Sequence, residues 1–497
     1  MKEPVIIVGG GLGGLAAAIH LALQGLQVIV LEKNERVGGK LDLIREDGYT
    51  FDTGPSLLTM PWVLRELFAA AGRRLEDELT LLPIEPICRY YWPDGMHFNA
   101  SQQLPLLLQE IARFDRRDQG NWFRFMAYAE RIYRVVANPF LLEPFDGLRD
   151  LLSLETLRNF WKIDPFRTVD QAVRSYFRSP YLQQIFNRYA TYNGSSPYHA
   201  PATFNLIAYI EMAEGGWYVR GGMYELARAL ERLALELGVM IHTRSPVARI
   251  GIYGGRAGGV VLENGERLSA SAVVVNADPR YAYEQLLPPE WSTARKLARL
   301  EPSSSGFVLL LGIDRVYEQL AHHTIFFSKD YPAEFKAIFD QRIPAPDPTV
   351  YVCATSQSDP QHAPSGHMNL FVLVNTPALH TNQDWGAIIG SYRDTIVRKL
   401  EKMGLIDLER HIRYERIISP EDLQQRYNAP NGAIYGLASN RPWTAFVRPP
   451  LRAPEARDLY FVGGGTHPGG GIPLVLLSGR AVTKRLLHDQ QKPRRLR

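Results

Sequence analysis

Val5-Ile6-Ile7-Val8-Gly9-Gly10-Gly11-Leu12-Gly13-Gly14 decides the reading of this chain, together with the run Val28-Ile29-Val30-Leu31-Glu32 that follows it. Four consecutive apolar residues before a glycine cluster read as a buried strand entering a tight turn. The pattern predicts a helix over residues 12–24, stopped by Gly25, and then a second strand closed by Glu32. Gly9, Gly11 and Gly14 take the three glycine positions of G-x-G-x-x-G. The first permits the turn, the second lets backbone approach a pyrophosphate, and the third lets helix and strand pack closely. The amides at the helix start, Gly13 among them, face the phosphates where the helix dipole favours negative charge. Glu32 stands where a carboxylate accepts hydrogen bonds from an adenosine ribose, and an acid there disfavours a 2′-phosphate. A glycine-rich turn that binds nothing is the bland alternative; strand, helix and acid in their places outweigh it. Residues 4–31 carry no formal charge, but the clustered glycines with Gln24 and Gln27 count against a membrane span or a signal peptide.

The chain has 497 residues, room for two or three domains, and an ordinary 45% hydrophobic content. Lys plus Arg number 56 against 52 Asp plus Glu, and a balance of +4 does not point to nucleic acid as a partner. The tail Lys492-Pro493-Arg494-Arg495-Leu496-Arg497 is basic enough to touch an anionic surface, although a solvated, frayed terminus is the more ordinary reading. Cys88 and Cys353 are the only cysteines, which excludes a disulfide scaffold or a Cys-rich metal site and makes a reducing, cytoplasmic location the default. No metal is expected. His322-His323 lacks helical ligand spacing and reads as polar surface or a wet pocket wall.

Downstream segments either complete a flavin site or fail to. Lys33, beside the ribose acid, is placed in the cofactor site with it. Gly38-Gly39-Lys40 lets the chain turn beneath a cofactor, with Lys40 facing a phosphate or a flavin edge. Gly54-Pro55-Ser56 reads as a turn leading backbone amides toward a bound ring. Together these favour FAD over NAD. Residues 60–204 carry helical apolar patterns with aromatic clusters at Tyr90-Tyr91-Trp92, Trp122-Phe123 and Phe160-Trp161, and Phe140-Leu141-Leu142 between prolines. Core is the ordinary reading of such clusters; an amphipathic patch dipping into a bilayer interface is the other. A helix is predicted over 224–237, stopped by Gly238, with strands over 239–243 and 246–250 and a hairpin turn at Asn264-Gly265. Val247 is positioned to offer backbone groups to an adenine. Strands over 306–313, 349–355 and 369–374 and a helix over 385–403 suggest a sheet-based substrate region. A last strand over 458–462 runs into Gly463-Gly464-Gly465-Thr466-His467-Pro468-Gly469-Gly470-Gly471-Ile472-Pro473 and a helix over 474–488. Amides at such a helix start, around Gly464, Gly465, Ile472 and Pro473, stabilise the negative charge that grows on a flavin's pyrimidine end on reduction.

On these residues the chain resembles the bacterial-type phytoene desaturase family of carotenoid oxidoreductases over nearly its whole length. The resemblance rests on Gly9 to Gly14 with Glu32, Gly38-Gly39-Lys40, Asp52 to Ser56, Arg220-Gly221-Gly222 and, most specifically, the Gly-Thr-His-Pro-Gly block; Asn276-Ala277-Asp278 and Arg448-Pro449 also match. Within the family, Arg188-Tyr189-Ala190-Thr191-Tyr192-Asn193-Gly194-Ser195-Ser196-Pro197 with Ala200-Pro201-Ala202-Thr203 looks closest to hydroxycarotenoid 3,4-desaturases, and terminal-methyl oxygenases share much of it. The implied fold class is α/β. It comprises a Rossmann-like FAD-binding domain of the flavin amine oxidase/phytoene desaturase type, a mixed-sheet substrate domain and a helical, membrane-contacting region. The FAD-binding domain is expected from 1–75, 215–300 and 455–497, the helical region from 76–214 and the substrate sheet from 301–454.

The implied chemistry is desaturation of an apolar C30 or C40 polyene, with hydride transfer to flavin N5 and loss of a proton from the adjacent carbon. His467 is the catalytic candidate, although fixing its loop is the blander role; Glu211 is a more distant candidate base, more often a solvated residue. A membrane-dissolved substrate implies peripheral attachment to the inner face of the cell membrane, with a quinone or oxygen as electron acceptor. The alternatives are a terminal-methyl oxygenase or a cis–trans isomerase of the same family, and a non-enzymatic, GDP-dissociation-inhibitor-like lipid binder.

Overall fold

The computed structural model describes residues 3–137, 161–381, 383–441 and 448–491. Its first layer is a five-stranded parallel sheet in the order Leu459–Phe461, Ala272–Val275, Val5–Val8, Val28–Leu31, Met240–His242. The inner strands are buried on both faces, which is why they are written as unbroken apolar runs rather than as alternating ones. One face is covered by the helices Leu12–Ala22, Glu225–Glu236 and Ile472–Gln491. The other carries the antiparallel strands Val247–Tyr253, Arg256–Leu262 and Arg267–Ser269, the last two joined through the expected Asn264-Gly265 turn. The sheet thus draws strands from the start, middle and end of the chain.

A second sheet has seven strands in the order Ile412–Ile418, Ser305–Ile313, Met368–Thr376, Val350–Cys353, His323–Phe326, Cys88–Tyr91, His97–Ala100. All pairings are antiparallel except the junction of His323–Phe326 with Cys88–Tyr91. Helix Trp385–Lys402 covers part of one face, with the buried Trp385 ring stacked on Phe307. The segment expected to be helical therefore gives two strands to this sheet, and Leu81–Pro83 pairs with Trp217–Val219. Tyr90-Tyr91-Trp92 lies at the join: Tyr90 and Trp92 are buried, and Tyr91 stacks on Phe326 at 5.3 Å. Helices Leu104–Phe114, Arg117–Val136, Val169–Tyr176 and Pro180–Asn187 pack around the same aromatic core. Phe140-Leu141-Leu142, Phe160 and the basic tail lie outside the described residues.

Candidate functional site

The two glycine turns meet. A Cβ on Gly13 would stand 2.9 Å from the Gly463 Cα, and Asn276 fills the angle between them, donating from Nδ2 to the Gly9 carbonyl at 3.1 Å. Gly463 in turn donates its N–H to Ser478 Oγ at 2.9 Å, which ties the second turn to the helix that follows it. Chain ends separated by more than four hundred residues thus share one wall.

A cavity of about 860 Å³ runs along that wall. Of the residues assigned from sequence, Gly9, Gly11, Gly13, Glu32, Lys33, Gly39, Lys40, Gly54, Pro55, Ser56, Val247, Gly464, Gly465, Ile472 and Pro473 all line it. Gly14 does not; a Cβ there would lie 2.3 Å from the Gly9 carbonyl oxygen, so this glycine serves the close packing of turn and helix. His467 is buried and is also outside the lining, so the structure brings it to neither the cavity wall nor the cradle.

Glu32 is buried, and its carboxylate accepts the Gly10 N–H at 2.7 Å and the Asn34 N–H at 2.8 Å. It holds the glycine turn to the end of the second strand while its remaining lone pairs face the cavity. Lys40 donates to the Ile434 carbonyl at 2.5 Å; burial holds its ammonium below the usual range, opposed by the Asp278 charge. The Gly54 turn lies so close to the preceding loop that a Cβ would come within 1.9 Å of the Lys40 carbonyl oxygen. A narrow glycine wall, an acid with free acceptors and helix starts at Leu12 and Ile472 are the donor and acceptor set that the ADP and ring ends of FAD require. The residues present fit that group.

Beyond the cradle the wall becomes the second sheet, presenting Val308, Ile325, Phe371 and Leu373. Sequence reading names Glu211, the Arg188 to Tyr192 stretch and the His322-His323 pair, but does not bring them together past this sheet. Arg188, Tyr192 and Glu211 line the same cavity, together with Tyr351 and His323. Glu211 is buried and not solvated as the ordinary reading has it. Its carboxylate accepts from Arg188 at 3.1 Å, from Tyr189 at 2.9 Å and from the Tyr192 hydroxyl. The His322-His323 pair is likewise buried rather than surface, and His323 is a cavity wall. Burial, with smaller contributions from neighbouring imidazoles, pushes His322 down to about 3 and His323 well below its ordinary value, so both rings are neutral. Their Nδ1 atoms bond Ser358 Oγ at 2.7 Å and the Tyr351 hydroxyl at 2.8 Å. Cys353 brings its sulfur within 4.8 Å of both rings, a grouping with no counterpart in the spacing of the sequence.

A family model described as flavin containing amine oxidoreductase matches residues 12–487. The chain belongs to that family and is an FAD-dependent oxidoreductase. Within it, the chain groups with carotenoid desaturases and oxygenases. It is 41% identical to the 4,4'-diapolycopene oxygenase of Methylomonas sp over 99% of both proteins. It is 38% identical to the zeta-carotene-forming phytoene desaturase of Myxococcus xanthus, over 97% of this chain and 93% of that one. The solved structure of an oxidoreductase from Methanosarcina mazei has the same fold, with a TM-score of 0.66 at 17% identity, covering 97% of this chain and all of the other.

Proposed function

We propose that this chain oxidises an acyclic C30 or C40 carotenoid, removing hydrogens from adjacent carbons of the polyene. The observation that carries this reading is one cavity that runs from a dinucleotide cradle onto an apolar sheet face formed by Val308, Ile325, Phe371 and Leu373. The ADP end of FAD would lie along Gly9, Gly11, Glu32 and Val247, and its ring between the Gly54 turn and the helix starting at Ile472. FAD, when bound, supplies two-electron oxidation by accepting a hydride at N5. The chain's own part is to hold a flexible polyene against that ring and to keep water out. The second hydrogen leaves as a proton, and the Ser56 and Tyr351 hydroxyls, 2.5 Å apart on the wall, can accept it and pass it toward His323. A quinone or oxygen would reoxidise the flavin.

A second reading, oxidation of a terminal methyl group, is favoured by the name of the 41% identical relative, which matches end to end. Incubating the flavin-loaded protein with hydrocarbon polyenes of known length and reading product mass separates the two. A loss of two hydrogens per step is expected for desaturation and a gain of oxygen for methyl oxidation. Unchanged mass with altered geometry would make the chain an isomerase, and no product from any polyene would end the proposal.

Such a substrate dissolves in lipid, so the chain would meet a bilayer surface. Among the described residues, no helix is long and apolar enough to cross a membrane. The helical layer instead exposes Leu104, Leu106, Phe123, Trp161 and Phe166, with Trp161 at 74%. Aromatic side chains of this kind sit well at a headgroup boundary. Replacing Phe123 and Trp161 together by serine is expected to lower binding to lipid vesicles about a hundredfold, since each ring loses about 1.5 kcal/mol of burial and each 1.4 kcal/mol is tenfold. Co-flotation measures it, and unchanged flotation would remove this face as the contact.

A further inference from the structure

Among the described residues, His322, His323 and Cys353 are the one group of three metal-ligating side chains that the fold gathers. A ring nitrogen of each histidine and the Cys353 sulfur lie within 4.8 Å of one another. Strand pairing brings them there. His323 stands opposite Cys353 in the antiparallel register of His323–Phe326 with Val350–Cys353, so the two side chains share a face of the sheet. His322 precedes that strand, and its ring meets the His323 ring edge-on with centroids 4.5 Å apart. All three side chains are buried. The Nδ1 atom of each ring is engaged, His322 with Ser358 Oγ at 2.7 Å and His323 with the Tyr351 hydroxyl at 2.8 Å. The Nε2 atom of each is buried and has no partner. Two adjacent residues each leaving a buried nitrogen unpaired is a cost that packing alone does not repay.

We propose that these three side chains bind a single thiophilic divalent metal ion, Zn²⁺ being the ordinary occupant of such a donor set. Two imidazoles and a thiolate suit Zn²⁺, and three ligands leave a fourth position for water. The group holds no carboxylate, so it does not suit Mg²⁺ or Ca²⁺. A ligating histidine commonly gives its other ring nitrogen to an oxygen that fixes the ring, which is the part Ser358 and Tyr351 play here. With Nδ1 held in that way, Nε2 is the nitrogen left to coordinate. Zn–N and Zn–S bonds of about 2.0–2.3 Å set tetrahedral ligand atoms about 3.3–3.8 Å apart, so side-chain rotation by about an ångström closes the group onto an ion. As the Zn–S bond forms, the Cys353 thiol gives its proton to solvent, and nothing is oxidised or reduced. A metal on Nε2 also fixes the proton on His323 Nδ1, which then donates to Tyr351 and takes nothing from it. Metal occupancy and proton passage to His323 therefore exclude each other. Metal binding here does not depend on the polyene reading of the cavity.

The test uses the flavin-loaded protein, stripped of metal by a chelator and then dialysed against Zn²⁺. One zinc per chain should remain. Zinc-edge X-ray absorption should show one sulfur at about 2.3 Å and two imidazole nitrogens at about 2.0–2.1 Å. Cys353→Ser is expected to lose the sulfur shell and at least about tenfold in zinc affinity, read by competition with a chromophoric chelator. His323→Gln should lose as much. Cys88→Ser removes the other buried thiol and should keep the zinc with its sulfur. Should the Cys353 or His323 variant fail to fold, the absorption spectrum of the unaltered protein decides alone. Retention of no zinc would overturn the proposal and leave the two nitrogens to a buried water. A zinc shell without sulfur would overturn it too, as would zinc held equally well by Cys353→Ser. The readout is the metal, so a chain inactive on every polyene would end the carotenoid reading and leave this assignment standing.

Discussion

Replacing Glu32 by arginine is expected to leave the purified protein colourless. The carboxylate holds two backbone N–H groups, Gly10 at 2.7 Å and Asn34 at 2.8 Å, and is buried beside the glycine turn. Arginine removes both acceptors and puts a cation among donors that already face one another. It also takes away the acceptor placed for the ribose hydroxyls. Hydrogen bonds to a charged group contribute about 1.5–3 kcal/mol each, so losing the ribose pair alone weakens FAD by a hundredfold or more. The ratio of flavin to protein absorbance should fall below about a tenth of that of the unaltered protein. Glu32→Gln keeps one acceptor and should fall between the two. A stoichiometric flavin band in the arginine variant would show that Glu32 does not hold the ribose, and with it the cradle would need another anchor.

Much of this cradle is legible in the sequence because it is local. A strand, a turn and a helix within residues 5–31 encode themselves through short-range periodicity and glycine placement, and their ends lie within a few residues of where the pattern puts them. The last glycine loop is legible for the same reason. That the two turns touch is visible in sequence only as two separate cofactor signals; Asn276, which locks them, shows there only as part of the Asn276-Ala277-Asp278 match, with nothing to say what it bonds. Of the second sheet, Ser305–Ile313, Val350–Cys353 and Met368–Thr376 are legible in sequence, whereas Ile412–Ile418, His323–Phe326, Cys88–Tyr91 and His97–Ala100 are not. Cys88–Tyr91 pairs with His323–Phe326 across more than two hundred residues, and its aromatic run lies in a stretch otherwise dominated by helical periodicity. The Arg188 cluster was beyond reach for a related reason. Tyr189 and Tyr192 lie close to Arg188 in sequence, but Tyr90 and Glu211 are 98 and 23 residues away, so the grouping itself has no local pattern. One signal was available: an acid at Glu211 directly follows the apolar run Leu206 to Ile210, and with Ala208 and Ile210 it is among the buried residues of the helix Leu206–Glu214. A charge inside an apolar stretch asks for a partner.

The convergence of chain ends gives the other large effect. Gly479 lies in the helix Ile472–Gln491 where it crosses Leu12–Ala22, and a Cβ there would stand 2.7 Å from both the Ala16 Cβ and the Ala17 nitrogen. These are backbone and near-backbone atoms, so no side chain can rotate away. Gly479→Val must push the two helices apart. Overpacking ordinarily costs about 1–3 kcal/mol and more where backbone has to move. The displacement also reaches the cavity, because Leu12 and Gly13 at the start of one helix and Ile472 and Pro473 at the start of the other line it. The variant is expected to melt well below the unaltered protein and to retain less flavin, the two losses rising together. Gly390→Ala is the matched control. It sits on the exposed side of the helix Trp385–Lys402 with nothing within 4 Å of a new Cβ, and should be neutral or stabilising by up to about 1 kcal/mol. Thermal unfolding with and without added FAD reads both. If Gly479→Val melted with the unaltered protein and kept its flavin, the two helices would not be packed at this distance, and the cradle could not be built from both ends of the chain at once.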